Sequence, residues 1–353
     1  MEVEVEPDMI YSGTVNIDRA IWFEDDEFIR IEPGTEMIFG PKGSLNLQGR
    51  FEAIGNADNP ITLTGSTDTI SHTIIQHYND DNGVFLMEHT NIHNGIMVTS
   101  AVENEFKNVH ISNDKELVWD DASIRIWLGT FLFEDCSISS NNSGEGLLVH
   151  NVEAPVVRNC TFYQVPDAVE YLCSNNGIIA NCIFRDMADD AIDNNDCHRT
   201  LIENNEFYNV KNRALEIGSD GFGPSTEIMV YNNVFSGCHI GINIKEESTI
   251  SIDQATFYKT RLNLEILNEA GNETQTELDI KNSVMVGEMA WVKKEDNCSA
   301  SVQDCLTDKS VETVSGFQLT DITLQDPESE NFSITSANFP TGKNAGNMGY
   351  QKR

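Results

Sequence analysis

Residues 166–218 read PDAVEYLCSNNGIIANCIFRDMADDAIDNNDCHRTLIENNEFYNVKNRALEIG and contain one short pattern three times. The pattern is Asp-Ala-Val-Glu at 167–170, Asp-Ala-Ile-Asp at 190–193 and Arg-Ala-Leu-Glu at 213–216. An Asn-x-x-Phe phrase follows each of the first two copies. Repetition at a nearly fixed spacing is typical of a solenoid, in which each repeat contacts only its neighbours.

The Asn-x-x-Phe phrase marks a longer series of turns. Its last position is a large apolar residue: Ile138, Phe162, Phe184, Phe207, Phe235, Phe257 and Met285. The spacings are 24, 22, 23, 28, 22 and 28 residues, so one turn takes about 22 residues and two turns carry insertions. Because large side chains recur at one position, we expect them to form a common core.

Two further columns precede the apolar one. Two positions earlier the residues are small or short: Cys136, Cys160, Cys182, Asn205, Asn233, Ala255 and Ser283. The column beside it is acidic or amide: Asp135, Asn159, Asn181, Asn204, Asn232, Gln254 and Asn282. Stacked amides can hydrogen-bond along a turn, and Asn tolerates a left-handed backbone. The sequence leaves open which of these two columns faces inward.

A second block repeats with the same period. Its apolar column is Leu147, Val169, Ile192, Leu215 and Ile242, and each member follows a Gly or Ala. Short runs of alternating apolar residues broken by Asn and Gly predict β-strands, and no segment shows sustained helical periodicity. The Leu-x-x-Leu-x-Leu pattern of leucine-rich repeats and the six-residue period of hexapeptide helices are both absent.

The phrases VVRNCTF (156–162) and LIENNEF (201–207) resemble those of the right-handed parallel β-helix family, the pectate-lyase-like class. Residues 29–65 are similar to the first coils of secreted bacterial members. The resemblance implies an all-β, single-stranded right-handed solenoid over residues 1–320, including N-terminal entry coils. Residues 321–353 lack the core pattern and resemble a C-terminal capping segment. The family includes lyases, hydrolases, adhesins and surface proteins, so the resemblance implies no single activity.

The charge of the chain limits its partners. A formal charge of −35 over 353 residues argues against nucleic acid, which is bound through basic patches. No apolar run reaches the ~18 residues of a membrane-spanning helix. The first residues lack the charged and apolar regions of a signal peptide, so we expect the mature form of an extracellular or bacterial cell-surface protein.

Alternation predicts an outward column after the second apolar column. Its members are Leu148, Glu170, Asp193, Glu216 and Asn243. The preceding turns add Asp167, Asp189, Asp190 and Arg213, and Lys245 lies two residues beyond Asn243. The carboxylates of Glu170, Asp193 and Glu216 are therefore expected on successive coils of one face.

Three interpretations of this face stay open. It can be a solvated surface, or it can bind Ca²⁺, which prefers oxygen ligands, through Asp189, Asp190, Asp193 and Glu216. Alternatively Glu170, Asp193 and Glu216 are catalytic. Carboxylates on adjacent coils would match the ~5–5.5 Å of retaining glycosidases, and those on alternate coils the ~6.5–9.5 Å of inverting ones.

The expected function is a binding or structural module, with polysaccharide or another surface protein as partner. The candidate ligand-binding residues are Asp167, Glu170, Asp190, Asp193, Arg213, Glu216, Asn243 and Lys245. The alternative is a polysaccharide lyase or glycoside hydrolase. Of the phrases that mark the polygalacturonase branch of the family, only ADDAID at 188–193 has a counterpart here, and no Gly-His-Gly or Arg-Ile-Lys phrase is present.

The eight cysteines fall within the repeat. Free, buried thiols that pack as small hydrophobic groups are one interpretation of the column that holds Cys160. Cys173 and Cys197 are close in register on adjacent coils, and Cys298 and Cys305 are close in sequence, so a disulfide is conceivable in each pair.

Overall fold

The structure is a computed structural model that describes residues 6–66, 72–78, 82–114, 122–141, 144–268, 275–287, 292–311, 313–340 and 343–352. No helix among these residues is long and apolar enough to cross a membrane. The chain divides into two compact units, residues 1–169 and 170–353.

In the first unit the strands are β1 (Met9–Tyr11), β2 (Thr14–Ile17), β3 (Ala20–Trp22), β4 (Phe28–Ile31), β5 (Glu36–Phe39), β6 (Ser44–Leu47), β7 (Arg50–Ile54), β8 (Ile61–Thr64), β9 (Thr73–His77), β10 (Val84–His93), β11 (Ile96–Thr99), β12 (Glu103–Asn113), β13 (Ala122–Ile126), β14 (Thr130–Glu134), β15 (Ser137–Ser140), β16 (Glu145–His150), β17 (Val156–Arg158) and β18 (Thr161–Tyr163). The division between the units falls inside β19 (Val169–Leu172).

In the second unit they are β20 (Ile178–Ala180), β21 (Ile183–Arg185), β22 (Ile192–Asn195), β23 (Leu201–Glu203), β24 (Glu206–Tyr208), β25 (Arg213–Gly218), β26 (Ile228–Tyr231), β27 (Val234–Ser236), β28 (Ile240–Ile244), β29 (Thr249–Asp253), β30 (Thr256–Tyr258), β31 (Leu262–Ile266), β32 (Glu277–Lys281), β33 (Val284–Val286), β34 (Val292–Lys294), β35 (Ser299–Gln303), β36 (Cys305–Thr307), β37 (Phe317–Leu319), β38 (Thr323–Asp326) and β39 (Asn331–Ser336). Two short 3₁₀ helices, η1 (Pro327–Ser329) and η2 (Ala345–Asn347), lie in the same unit.

One coil of the second unit contains three short strands, such as β20, β21 and β22. Each strand pairs in parallel with its counterpart one coil later, β20 with β23, β21 with β24 and β22 with β25. The first unit is built in the same way, although β10 and β12 each merge two strands into one of 10 and 11 residues. The fold is an all-β, right-handed parallel β-helix, as the sequence predicts.

The large apolar column forms the core of the second unit. Phe184, Phe207, Phe235 and Phe257 are fully buried. Consecutive ring centroids lie 4.8, 5.0 and 4.8 Å apart, with nearly parallel planes. The parallel register places each ring over the equivalent ring of the next coil. The predicted internal stack is therefore present.

The small column is the one that faces inward. Its members are buried throughout: Cys136, Cys160, Cys182, Asn205, Asn233, Ala255 and Ser283. Asn205 accepts a hydrogen bond from the N–H of Cys182 at 2.8 Å, and Asn233 accepts one from the N–H of Asn205 at 2.8 Å. These inward amides satisfy backbone donors at the bend between two strands.

The neighbouring acidic and amide column has a conformational role. Its backbone is left-handed at each position, with φ between 51° and 58°: Asp135, Asn159, Asn181, Asn204, Asn232, Gln254 and Asn282. Asn and Asp adopt this conformation more readily than other side chains. The column therefore consists of these residues because the turn between the first two strands requires φ above zero.

All eight cysteines are free thiols. The disulfides considered for Cys173–Cys197 and Cys298–Cys305 are absent. Cys197 is buried in the core, whereas Cys173 is partly exposed, so their positions in register do not bring the two thiols onto one side of the strand. Burial raises the pKa of Cys197 to about 12. Since the thiolate is the reactive form, this thiol is inert at neutral pH.

The C-terminal segment packs along the side of the coils. Leu324, Phe332 and Met348 are buried together with outward side chains of earlier strands, among them Val234 and Val284. Polar contacts fix the same segment, since the hydroxyls of Tyr208 and Tyr350 each donate to the carboxylate of Glu206 at 2.6 Å. The described part of residues 321–353 thus covers a lateral face, and a role in capping the last coil stays a prediction.

The phenylalanine stack yields a stability prediction. Phe207→Ala removes a buried ring between two others and should lower the free energy of unfolding by about 3–5 kcal/mol. Urea unfolding followed by circular dichroism measures the change. Phe222→Ala is the matched control, because that ring is 76% exposed and its loss should change stability by less than about 0.5 kcal/mol. Equal stability of the two variants would contradict the assigned core.

Candidate ligand-binding face

The outward residues of β22, β25, β28, β31 and β34 form one lateral face of the second unit, called here the charged face. The register aligns one residue from each strand: Asp193, Glu216, Asn243, Glu265 and Lys293. Neighbours in this column are about 4.8 Å apart along the stack. The charges of the column are therefore close enough to interact strongly.

Glu216 lies at the centre of the charged face and is buried, with 3% of its surface exposed. The Nζ of Lys245 lies 2.5 Å from its Oε1, and Arg213 contacts its Oε2. A buried carboxylate needs such partners because desolvation disfavours the charged form. Of the three interpretations left open by the sequence, a solvated surface therefore does not apply at this position.

Asp190 and Asp193 lie beside Glu216. Arg213 Nη1 donates to Asp190 Oδ2 at 3.0 Å, and the backbone N–H of Arg213 donates to Asp190 Oδ1 at 2.9 Å. Asp193 Oδ1 accepts from the side-chain amide of Asn195 at 2.8 Å. Carboxylate oxygens of the three acids lie within 4.8 Å of one another, close enough to hold a metal ion. Asp190 and Glu216 are, however, already engaged in ion pairs.

Both cations of this cluster are held in their charged forms. Burial acts to lower the pKa of Lys245, but its hydrogen bond to Glu216 and the charge of that carboxylate outweigh burial, and the pKa is raised. Burial acts likewise on Arg213, and the charges of Asp190 and Glu216 outweigh it, so this pKa is raised too. A lysine that serves as a base near neutral pH needs a lowered pKa. The pKa of Lys245 is shifted in the opposite direction, so this lysine is not suited to act as a base.

A loop with an exposed aromatic ring follows β25 directly. The carboxylate of Asp196 fixes this loop, since it accepts from the hydroxyl of Ser219 at 2.6 Å and from the N–H groups of Asp220 and Gly223 at 3.1 Å. Phe222 lies between these anchored positions and exposes 76% of its surface. The loop therefore presents an apolar ring from a fixed backbone at the border of the charged face.

Three further sequence-predicted residues are Asp167, Glu170 and Asp189, and a carboxylate oxygen of Asp189 lies within 4.8 Å of one of Asp190. Asp167 is partly buried and belongs to the first unit. Glu170 opens the second unit and is partly buried. Asp189 is exposed and accepts from the side-chain amide of Asn212 at 2.6 Å. Their roles in binding or metal coordination stay predictions.

Sequence reasoning missed the continuation of the charged face. Asn243 is buried and donates to Glu265 Oε2 at 2.9 Å, while Lys293 Nζ lies 2.7 Å from Glu265 Oε1. The sequence did contain a signal for this continuation. Leu264 continues the inward apolar column, so Glu265, which follows it, could have been assigned to the outward column. The signal for Phe222 was weaker. This residue lies in a turn that an insertion lengthens, and such turns often carry functional residues.

The buried ion pairs yield a prediction for Lys245. Lys245→Met leaves the buried Glu216 with Arg213 as its one cation and should lower the free energy of unfolding by about 2–4 kcal/mol, because removing one partner of a buried ion pair leaves the other less well compensated. The double variant Lys245→Met/Glu216→Gln should be less destabilised than the sum of its single variants. Urea unfolding of the three variants measures this coupling. Additive losses would show that the pair does not interact.

A comparison with protein families matches the description right handed beta helix region to residues 94–257 and 167–310. No curated protein is significantly similar in sequence to this chain.

Several solved structures share the fold at low identity. A mannuronic acid specific polysaccharide family 6 lyase from human gut microbiota is 11% identical with a TM-score of 0.52, over 91% of this chain and 93% of that one. The A-module of the Azotobacter vinelandii mannuronan C-5 epimerase AlgE6 is 10% identical with a TM-score of 0.51, over 83% and 87%. The PL6 family alginate lyase AlyGC is 14% identical with a TM-score of 0.47, and the match covers 91% of this chain but 54% of AlyGC, so the chain spans about half its length. At these identities the similarity concerns the fold alone.

The match to the family description extends over more than half of this chain's residues. The chain therefore belongs to the right-handed β-helix family.

Proposed function

We propose that this chain is an extracellular carbohydrate-binding β-helix module that holds saccharide on the charged face. The mannuronic acid specific lyase and the mannuronan C-5 epimerase share its fold and, by their names, act on polysaccharide, which supports this ligand class. The formal charge of −35 supports a solvated extracellular surface.

The observation that carries the proposal is Phe222 on its anchored loop. A pyranose ring has an apolar C–H face that packs on an aromatic ring, and a ring held by a fixed backbone loses little conformational freedom on binding. Asp193, partly exposed on the adjoining charged face, offers a carboxylate to accept hydrogen bonds from sugar hydroxyls.

The alternative is a polysaccharide lyase or glycoside hydrolase that uses Glu170, Asp193 and Glu216. It is favoured by the proximity of Asp193 and Glu216, whose carboxylate oxygens lie within 4.8 Å, near the ~5–5.5 Å of retaining glycosidases. Two features oppose it. Both carboxylate oxygens of Glu216 are already engaged by cations inside the protein, and the raised pKa of Lys245 makes it a poor base.

The binding proposal predicts a loss of affinity in Phe222→Ala. This variant should bind oligosaccharide about fivefold to tenfold more weakly than the wild type, because it removes the apolar contact and no buried group. Isothermal titration calorimetry with β-1,4-linked mannose and mannuronate tetramers measures the effect. Leu319→Ala is the matched control, since Leu319 is 62% exposed and lies in β37, away from the charged face. Unchanged affinity in Phe222→Ala would remove the loop from the site.

The same oligosaccharides separate binding from catalysis. We expect no new reducing ends and no unsaturated products after prolonged incubation with the wild type. Turnover that is lost in Asp193→Asn would replace the binding proposal with the enzymatic alternative.

Calcium is a second candidate ligand of the charged face, because Asp190, Asp193 and Glu216 are close enough to surround an ion. Ca²⁺ requires about 6–8 oxygen ligands. In this arrangement Arg213 and Lys245 already occupy oxygens of Asp190 and Glu216. The donor set therefore fits Ca²⁺ poorly, and the two side-chain cations supply the compensating charge.

This reasoning predicts how calcium affects stability. Millimolar Ca²⁺ should raise the melting temperature of the wild type and of Asp193→Asn equally, through general screening of an acidic protein. Differential scanning fluorimetry with and without Ca²⁺ measures the shift, and Asp326→Asn, at an exposed position, controls for loss of one charge. A larger rise in the wild type and in Asp326→Asn than in Asp193→Asn would establish a calcium site.

A further inference from the structure

A cavity lies farther along the charged face. It has a volume of about 720 Å³, and its lining includes His239, Ile240, Arg261, Leu262 and Lys293. The strands that form it, β28, β31 and β34, pair in sequence with β25, which carries Glu216. This cationic groove, defined by these lining residues together with Glu265 and Lys294, thus continues the surface assigned above to saccharide.

The cationic groove has the opposite charge to the rest of the chain. Among the described residues that line it, three are cationic, Arg261, Lys293 and Lys294, and one is a carboxylate, Glu265. Both oxygens of Glu265 are engaged, one by Lys293 at 2.7 Å and one by the amide of Asn243 at 2.9 Å. Lys294 donates to two backbone carbonyls at 2.9 Å, which orient its ammonium group without neutralising it.

Arg261 is the cation best placed to meet a ligand. It is exposed, and no carboxylate of the described residues lies within ion-pair distance of it. Its Nη1 lies 3.1 Å from Nε2 of His239, whose Nδ1 lies 3.2 Å from the carbonyl oxygen of Lys211. Because a guanidinium can only donate, Nε2 accepts and Nδ1 carries the proton. The imidazole therefore holds Arg261 in place while leaving its positive charge uncompensated.

The lining of the cationic groove fits a sugar ring better than a small inorganic anion. Ile240 and Leu262 are partly buried and Val292 is buried, so apolar side chains lie beside the cations. A small inorganic anion would use the charges and leave this apolar surface unused. A sugar ring with a charged substituent would contact both.

We propose that the cationic groove binds the anionic group of an acidic saccharide, with Arg261 as its main contact. The inference rests on the proposed function and specifies its ligand class. The charged substituent is a carboxylate or a sulfate, each of which accepts charge-assisted hydrogen bonds from a guanidinium.

Three tetramers of equal length test the proposal by calorimetry at low salt: β-1,4-linked mannose, β-1,4-linked mannuronate and a sulfated galactose tetramer. The first two differ in whether C6 is an alcohol or a carboxylate. The wild type should bind at least one anionic tetramer about tenfold or more tightly than the mannose tetramer, and added salt should reduce the difference. The preferred anionic tetramer identifies the substituent.

The variant Arg261→Gln should lose this preference while it keeps the affinity for the mannose tetramer. Arg19→Gln, at an exposed arginine of the first unit, is the matched control and should keep the preference. If the wild type bound mannose and anionic tetramers equally, or if Arg261→Gln kept the preference, the cationic groove would be excluded and the binding function would stand. If no tetramer bound, both the groove and the proposed function would fall.

Discussion

Parallel stacking of the coils places equivalent residues about 4.8 Å apart, and this spacing acts in opposite ways inside and outside the solenoid. Inside, it lets the rings of Phe184 and Phe207 stack at 4.8 Å and lets inward amides bond from coil to coil. Outside, it brings carboxylates of successive coils together. Like charges at such a distance repel by about 1 kcal/mol in water and by several times more near a protein surface. An acidic column is therefore stable only where cations or solvent compensate it.

Glu216 shows how a buried member of such a column is compensated, and the first unit uses the same arrangement. Glu52 is buried there and is paired with both Arg30 and Arg50. Because two carboxylates far apart in the chain each bind two cations, this pairing is a general means of burying a charge on an outer strand. It indicates a structural role for Glu216. The residues proposed to bind ligand are therefore the partly exposed Asp193 and the exposed Phe222.

The fold could be predicted from the sequence because every coil imposes the same environments. The apolar column of Phe207 and the left-handed column of Asn204 recur at the period of the coil, so both are visible without a structure. The burial of Glu216 was not predictable in this way. Arg213, which pairs with Glu216, stands at the position that Asp190 holds one coil earlier. Lys245, the second partner of Glu216, stands at the position that Gly218 holds one coil earlier. Interactions that depend on a break in the repeat leave no periodic signal.

The same breaks point to where function lies in a repetitive chain. Packing constrains residues that recur on every coil, whereas turns and exceptions to a column are free to vary. Phe222 lies in a turn that lengthens one coil to 28 residues, and Arg261 lies where the outward face changes from acidic to basic. Neither residue is needed to stack one coil on the next. A relative that kept the columns but lacked both residues should therefore keep this fold and lose the binding proposed for it.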